Sequence, residues 1–165
     1  MESIRIIEMT DNDWPEVERI YREGIETGNA TFETEAPSWE KWDAGHVKSC
    51  RFVAKIKEKV VGWVALSPVS SRCVYQGVAE VSVYVGSTGR GKGVGRKLLA
   101  SVVEESEKQG YWTLQASVFP ENVASLKLHR QLGFREVGKR ERLAKREGVW
   151  RDVILLERRS EKVGL

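Results

Sequence analysis

The segment Val78–Arg96, VAEVSVYVGSTGRGKGVGR, decides the fold and the candidate site. Its first eight residues are dense in valine and predict a β-strand, and residues 86–95 form a glycine-rich turn. Apolar residues then recur at helical spacing from Val94 onward, so a helix is predicted over 93–109. A strand, a glycine-rich turn and an amphipathic helix therefore follow one another without interruption.

The turn before this helix is suited to binding an anion. The first N–H groups of a helix lack intrahelical partners and carry a partial positive charge. Glycines allow a ligand to approach these groups closely, and Arg90, Lys92 and Arg96 add full positive charges. We therefore predict a phosphate or pyrophosphate site, with a plain loop that contains glycines as the structural alternative.

Two familiar phosphate-binding motifs do not fit this turn. Residues 86–92 have the glycine-to-lysine spacing of a P-loop, but Gly93 stands where that motif requires a serine or threonine. The Gly91-x-Gly93-x-Gly95 spacing also differs from the G-x-G-x-x-G fingerprint of dinucleotide-binding folds. The sequence therefore disfavours an NTPase and a Rossmann-type enzyme.

The rest of the chain predicts helices packed on one mixed sheet. Further strands are predicted at 4–9, 51–56, 60–66, 114–118, from 134 and at 149–156, and further helices at 13–26, 38–47 and from 122. This order is typical of an α/β layer architecture, and the length fits a single domain over residues 1–165. The sequence is polar after about residue 159, where we expect a frayed tail.

Composition disfavours several other classes of protein. Hydrophobic residues make up 41% and charged residues 31%, and no apolar run reaches the length of a membrane helix, so a globular protein without membrane contact is expected. The charged N-terminus has no signal-peptide core, which favours a cytoplasmic location. A net charge of +3 does not argue for nucleic acid, and the basic run Lys139–Arg146 is interpreted as a solvated face.

The cysteines and histidines do not indicate a metal centre. Cys50 and Cys73 are expected to be reduced thiols in a cytoplasmic setting. No group of cysteines or histidines has metal-ligand spacing, so no metal is predicted.

The turn Arg90-Gly91-Lys92-Gly93-Val94-Gly95 resembles the pyrophosphate-binding turn of the GNAT family of N-acetyltransferases. The positions that follow strand 114–118 strengthen the likeness, namely Asn122, Ser125 and the ending Leu132-Gly133-Phe134. Stretches at 32–37, 79–85 and 148–153 further resemble the phosphinothricin acetyltransferase branch. The resemblance implies an α/β (α+β) GNAT fold, with a mixed, mostly antiparallel sheet of about six to seven strands and about four flanking helices.

The resemblance also implies acetyl-CoA as co-substrate and assigns residues to it. The pyrophosphate would lie on Arg90, Gly91, Lys92, Gly93, Val94, Gly95 and Arg96. The strand backbone at Val83, Tyr84 and Val85 would pair with the pantetheine arm and polarise the thioester oxygen, although core packing also explains the valines. Asn122 and Ser125 would contact the pantetheine end, and a helix N-cap is the structural alternative for Asn122.

Glu80 lies within a valine-rich strand, where glutamate is uncommon. Alternation places Glu80, Ser82 and Tyr84 on one face of the strand. A general base would explain the carboxylate, because only a neutral amine attacks a thioester, and in the resembling branch this glutamate has that role. A surface-facing residue on an edge strand is the structural alternative.

His129 stands where many GNAT members have a tyrosine that protonates the departing CoA thiolate. The phosphinothricin branch resembles this chain in having histidine there, so a catalytic acid is one interpretation. A substrate contact or a packing role is the other, because a lone histidine on a helix is usually structural.

Five residues are predicted to line the acceptor pocket: Phe32, Glu33, Arg72, Tyr75 and Trp150. An amino acid acceptor carries a carboxylate, and Arg72 is a suitable bidentate partner for it. A surface arginine is the alternative.

The sequence therefore predicts an acetyl-CoA-dependent N-acetyltransferase for a small amino-acid-like acceptor, such as phosphinothricin or methionine sulfoximine or sulfone. Transfer would be direct, without a covalent enzyme intermediate, since Cys73 has no base nearby in sequence. The alternatives are a peptide N-terminal or lysine acetyltransferase and a non-catalytic CoA-sensing module. The branch implies a homodimer and a role in antibiotic or herbicide detoxification.

Overall fold

Seven strands form one sheet in the computed structural model, which describes residues 3–165. They are β1 (Ile4–Glu8), β2 (Phe52–Ile56), β3 (Lys59–Pro68), β4 (Val78–Val85), β5 (Thr113–Val118), β6 (Arg135–Arg146) and β7 (Val149–Arg159). The helices of the same range are α1 (Trp14–Thr27), α2 (Trp39–Gly45), α3 (Val94–Lys108) and α4 (Val123–Gln131). The strand order is β1-β2-β3-β4-β5-β7-β6, and only the β4–β5 pair is parallel. The predicted mixed, mostly antiparallel sheet with about four helices is therefore confirmed.

Alternating side chains of the central strands build a core on each face of the sheet. On β3, Val64 and Leu66 belong to the cluster that contains Leu98 of α3. The alternate residues Trp63 and Ala65 belong to the other cluster, together with Val17 of α1. Both faces of the central sheet are thus covered.

β4 and β5 separate partway along their length. Their parallel pairing runs from Val78 opposite Thr113 to Glu80 opposite Gln115 and extends no further. Both strands continue beyond this point, β4 to Val85 and β5 to Val118. Backbone groups on the facing edges of the separated segments are therefore left for other partners. Glu80 lies at the point of separation on a central strand, so the edge-strand alternative for this residue is wrong.

The β6–β7 hairpin is longer than the sequence predicts. The predicted strand from 134 continues to Arg146, so the basic run Lys139–Arg146 lies in the outermost strand of the sheet. The pairing of β6 with β7 shifts register after Arg140, where the backbone N–H of Arg142 donates to Asp152 Oδ1 at 2.8 Å. The solvated-face interpretation fits most of the run, but it is wrong for Arg146, whose side chain is only 10% exposed.

The polar C-terminal tail is ordered, in contrast to the fraying that the sequence predicts. Arg159 donates to the carbonyl oxygens of Val163 and Gly164 at 2.8 and 2.6 Å. The buried Ser160 hydroxyl donates to Glu107 Oε2 at 2.6 Å and accepts from the backbone N–H of Val163 at 3.0 Å. The polarity of the tail does not predict these contacts, because they are made to backbone groups and to Glu107, which is 53 residues away in sequence.

Candidate active site

A cavity of about 320 Å³ opens where β4 and β5 separate. Its walls come from α1, the loop after α1, the separated strands, the start of α4 and β7. The residues predicted for the site that line it are Phe32, Glu33, Glu80, Val83, Tyr84, Asn122, Ser125 and His129. The structure therefore brings the two predicted catalytic residues to the same cavity as two predicted acceptor residues.

The Glu80 carboxylate is fixed by two side chains of β5. Gln115 Nε2 donates to Glu80 Oε1 at 2.9 Å, and Ser117 Oγ lies 3.3 Å from the same oxygen. Within residues 3–165 no hydrogen bond reaches Oε2, so one carboxylate oxygen remains for a ligand. A positioned carboxylate with a free oxygen can accept a proton from a bound ammonium group.

The loop after α1 and two tyrosines form a polar wall of the cavity. The Tyr21 and Tyr84 rings stack with centroids 5.0 Å apart, and Thr31 of the loop lines the cavity beside them. Burial raises the pKa of each phenol, and the nearby Glu33 carboxylate raises it further. Both phenols therefore stay protonated at neutral pH and offer O–H groups to a ligand.

His129 is 2% exposed and presents a neutral ring to the site. Its Nδ1 lies 2.7 Å from the Ser125 carbonyl oxygen, which only accepts hydrogen bonds, so Nδ1 carries the proton. Nε2 is buried and meets no hydrogen-bond partner within the described part of the chain. Burial lowers the pKa of His129, and the smaller effect of the Ser125 carbonyl opposes it. Nε2 is thus an acceptor at neutral pH, and the predicted acid role would require prior protonation of the ring.

The buried histidines predict a pH-dependent stability. Burial lowers the folded-state pKa of both His46 and His129, so below about pH 6.5 the unfolded chain binds more protons than the folded chain. The free energy of unfolding should therefore fall as the pH drops below 6.5, by up to about 1.4 kcal/mol per pH unit for each histidine. Urea unfolding between pH 7.5 and 5.5 measures this slope. The His129→Asn protein should show a smaller slope than the wild type, and an equal slope would contradict the assignment.

The glycine-rich turn before α3 has open space in front of it. Gly91 and Gly93 adopt φ angles of +75° and +81°, and a Cβ atom on either would meet no atom within 4 Å. Gly93 is the N-cap of α3, so no side chain at that position can cap the first-turn N–H groups. The predicted cationic residues Arg90, Lys92 and Arg96 are exposed beside the turn. This geometry suits an anion that approaches the backbone closely.

Two residues of this turn also serve packing. The Val94 side chain is buried in the core, which leaves only its backbone for a ligand. A Cβ atom at Gly95 would lie 3.1 Å from Leu128 Cδ2, so close contact between α3 and α4 also accounts for that glycine.

Asn122 connects the start of α4 to the loop after α1. Its Oδ1 accepts from the Ser125 backbone N–H at 3.2 Å, which is the N-cap bond expected from sequence. Its Nδ2 donates to the Asn29 carbonyl oxygen at 3.2 Å. The capping role is therefore real, and the side chain has a second role as a tether.

Three predicted acceptor residues lie away from the cavity. Arg72 and Tyr75 are exposed on the β3–β4 connection, where the guanidinium stacks 5.6 Å from the Tyr75 ring centroid. Trp150 is 55% exposed on β7, with the Lys145 ammonium 5.0 Å from its ring centroid. Val85 also lies outside the cavity lining and packs against the core under α3. The acceptor role of Arg72, Tyr75 and Trp150 stays a prediction.

Gln115 and Ser117, which hold Glu80, were missed from the sequence, and of these two Ser117 lines the cavity. Their alternation on β5 with the buried Leu114 and Ala116 is a period-two signal that predicts one polar face. Tyr21 gave no such signal, because it falls on the apolar stripe of α1. Its place in the cavity depends on packing against Tyr84 of a distant strand.

Parallel strands that separate beside a glycine-rich helix N-terminus define the class of acetyltransferase fold that the sequence resembles. The chain belongs to the acetyltransferase (GNAT) family, whose family model matches residues 10–134. Within residues 3–165 no group of three or more His, Cys, Asp or Glu side chains is arranged to hold a metal ion. In the same range, every helix is too short or too polar to cross a membrane.

Individual relatives share this fold over most of their length. The chain is 30% identical over 162 residues to the phosphinothricin N-acetyltransferase of Alcaligenes faecalis, covering 94% of this chain and 81% of that one. A phosphinothricin acetyltransferase of Sinorhizobium meliloti, solved in complex with AcCoA, is 26% identical with a TM-score of 0.88, over 97% and 90% of the two chains. A ribosomal-protein-alanine N-acetyltransferase of Brucella melitensis is 29% identical with a TM-score of 0.87, over 94% and 99%.

Proposed function

We propose that this N-acetyltransferase moves the acetyl group of acetyl-CoA to the amino group of a small amino-acid-like acceptor, such as phosphinothricin or methionine sulfoximine. The observation that carries the proposal is the Glu80 carboxylate, held by Gln115 on the cavity wall where β4 and β5 separate. The relatives named for phosphinothricin acetylation support the choice of acceptor. A cavity of about 320 Å³ is at the small end of ligand sites, which favours one small acceptor.

The residues before α3 fit the diphosphate of acetyl-CoA. Open space in front of Gly91 and Gly93 allows phosphate oxygens to reach the backbone N–H groups, and exposed Arg90 and Arg96 can neutralise the charge. Acetyl-CoA supplies an activated thioester carbonyl. The unpaired backbone of β4 at Val83 would orient the pantetheine arm and stabilise the negative charge that develops on the thioester oxygen.

The remaining chemistry belongs to the side chains of the cavity. Glu80 Oε2 takes a proton from the acceptor ammonium, which frees the nitrogen lone pair for attack. The Tyr21 and Tyr84 hydroxyls orient the acceptor by hydrogen bonds. Cys73 is exposed on the β3–β4 connection and does not line the cavity, which supports direct transfer without a covalent enzyme intermediate.

A peptide N-terminus is a second candidate acceptor, and the charge of the cavity favours it. Glu33 and Glu80 line the cavity, whereas no lysine or arginine does among the described residues. Two carboxylates attract an ammonium group but repel the carboxylate of a free amino acid. A peptide N-terminus carries the ammonium group but has no carboxylate on the same residue. The relative named for ribosomal-protein-alanine acetylation supports this candidate.

A matched pair of acceptors decides between the two candidates. We expect acetyl-CoA consumption with L-methionine sulfoximine and phosphinothricin. The first candidate requires a cation outside the cavity lining, such as the predicted Arg72, to bind the acceptor carboxylate, and it therefore predicts a kcat/KM lower by about tenfold or more when this carboxylate is converted to the carboxamide. Thioester consumption is followed with each acid and its amide at equal concentration. A higher kcat/KM for the amides and for short peptides would contradict the free amino acid as acceptor and support the peptide N-terminus. No turnover with any amine would contradict both.

A further inference from the structure

Two arginines of the β6–β7 hairpin hold the loop that forms one wall of the cavity. Arg146 donates through Nε to the Thr31 carbonyl oxygen at 3.1 Å and through Nη2 to the Ile25 carbonyl oxygen at 2.9 Å. Arg151 donates through Nη1 to the Gly28 carbonyl oxygen at 2.8 Å and through Nη2 to Asn29 Oδ1 at 2.8 Å. Their side chains are only 10% and 14% exposed. These four bonds join the outer hairpin to residues 25–31, far away in sequence.

The end of α1 needs such donors. The last carbonyl groups of a helix have no intrahelical partner, and the C-terminus of a helix attracts cations. Gly28 leaves the helix with a φ of +75°, which turns its carbonyl and the following residues toward the hairpin. A guanidinium group has a planar array of donors that can bind two acceptors at once. Arg146 and Arg151 therefore satisfy the carbonyl groups at this helix end and fix the direction of the loop.

The held loop is the wall of the cavity itself. Residues 29–33 line the cavity without interruption, whereas neither arginine does. Phe32 of this loop packs edge-on against Phe119, with the two ring centroids 4.9 Å apart. The Arg151 guanidinium lies 4.1 Å from the centroid of the Phe119 ring. Glu121 Oε1 lies 3.5 Å from Arg151 Nη2 and forms an ion pair with it. The arginines thus act on the cavity mainly through the loop, and Arg151 also contacts Phe119, which lines the cavity.

We propose that Arg146 and Arg151 are positioning residues that set acceptor affinity by fixing the 28–33 loop; the kinetic part of this proposal rests on the proposed function. Loss of either set of bonds lets the loop leave the cavity wall, so the acceptor site forms in only part of the population. The apparent affinity for the acceptor then decreases in proportion to the fraction of molecules in which the site is formed. The turn before α3 is a separate element, so affinity for acetyl-CoA stays nearly unchanged.

The test compares Arg151→Gln with a matched arginine on the same hairpin. Arg135 pairs with Glu157 at 2.8 Å, its side chain is 67% exposed, and among the described residues no hydrogen bond joins it to the loop, so Arg135→Gln is the control. We expect Arg151→Gln to raise the acceptor KM about tenfold, with the acetyl-CoA KM changed less than about twofold. Arg151→Lys should restore part of the loss, since lysine keeps the charge but not the paired donors. Arg146→Gln is a second, independent variant in case Arg151→Gln does not fold.

Amide hydrogen exchange of residues 28–33 gives a readout that does not require turnover. It should be faster in Arg151→Gln and Arg146→Gln than in the wild type, and unchanged in Arg135→Gln. Unchanged exchange in both loop variants, or an equal rise of the KM values for acceptor and acetyl-CoA, would overturn the proposal. Should the wild type acetylate no amine, the proposed function fails, and the exchange rates alone then support or overturn the role of the arginines in holding the loop.

Discussion

The Glu80→Gln protein is expected to lose about 10²–10⁴-fold in kcat while it binds acetyl-CoA as tightly as the wild type. Glutamine has nearly the same shape, and its amide oxygen can accept the 2.9 Å hydrogen bond from Gln115, so the cavity should keep its structure. The amide cannot take a proton from the acceptor ammonium, and only the small fraction of already neutral amine can attack. Steady-state kinetics and calorimetric titration with acetyl-CoA measure the two effects separately.

A second acid on the cavity wall provides the control for Glu80. Glu33 also lines the cavity but is not assigned to proton transfer, so Glu33→Gln should change the acceptor KM more than kcat. The residual rate of Glu80→Gln should rise with pH toward the pKa of the acceptor amine, because hydroxide then replaces the missing base. A Glu80→Gln protein with wild-type kcat would show that Glu80 is not the base.

Replacing Gly93 by alanine is expected to weaken acetyl-CoA binding by about 10–100-fold. A methyl group at this position would enter the open space where a phosphate oxygen is proposed to meet the first N–H groups of α3. The φ of +81° at Gly93 also costs an alanine about 1–2 kcal/mol in the folded protein. Calorimetric titration with acetyl-CoA measures the loss of affinity.

Gly110 separates the effect on binding from the effect on the backbone. It has a φ of +91°, and a Cβ atom there would also meet no atom within 4 Å. It lies at the other end of α3, after Lys108. Gly110→Ala should therefore lose a similar amount of stability in urea unfolding but keep wild-type affinity for acetyl-CoA. Equal affinity losses in the two proteins would show that Gly93 has no special contact with the ligand.

The sequence predicted the central part of the fold because strong local signals agree there. The valine-rich strand, the glycine-rich turn and the periodic helix follow one another, and β4 has the predicted bounds Val78–Val85. Glu80 could be singled out because a carboxylate in such a strand is costly without a purpose. The turn could be interpreted because the physics of a helix N-terminus does not depend on distant residues.

The missed parts depend on contacts between segments that are far apart in sequence. The sequence predicted where the β6 strand begins but not where it ends, because its basic residues lack the alternation of a half-buried strand. Arg146 was interpreted as solvated, since the carbonyl groups of Ile25 and Thr31 that bury it are invisible in a local pattern. Arg72 was predicted to line the acceptor pocket because a guanidinium suits an acceptor carboxylate, whereas in this structure it stacks on Tyr75 outside the cavity. A residue's charge can be read from sequence, but its partner follows from the fold.

The proposed reaction requires that the turn 90–96 bind the diphosphate of acetyl-CoA and thereby place the thioester beside Glu80. A crystal structure of the protein with CoA tests it most directly. We expect phosphate oxygens within hydrogen-bond distance of the backbone N–H groups between Gly91 and Arg96, with the pantetheine arm between the separated strands β4 and β5. A nucleotide bound elsewhere, with the turn closed against neighbouring side chains, would contradict it.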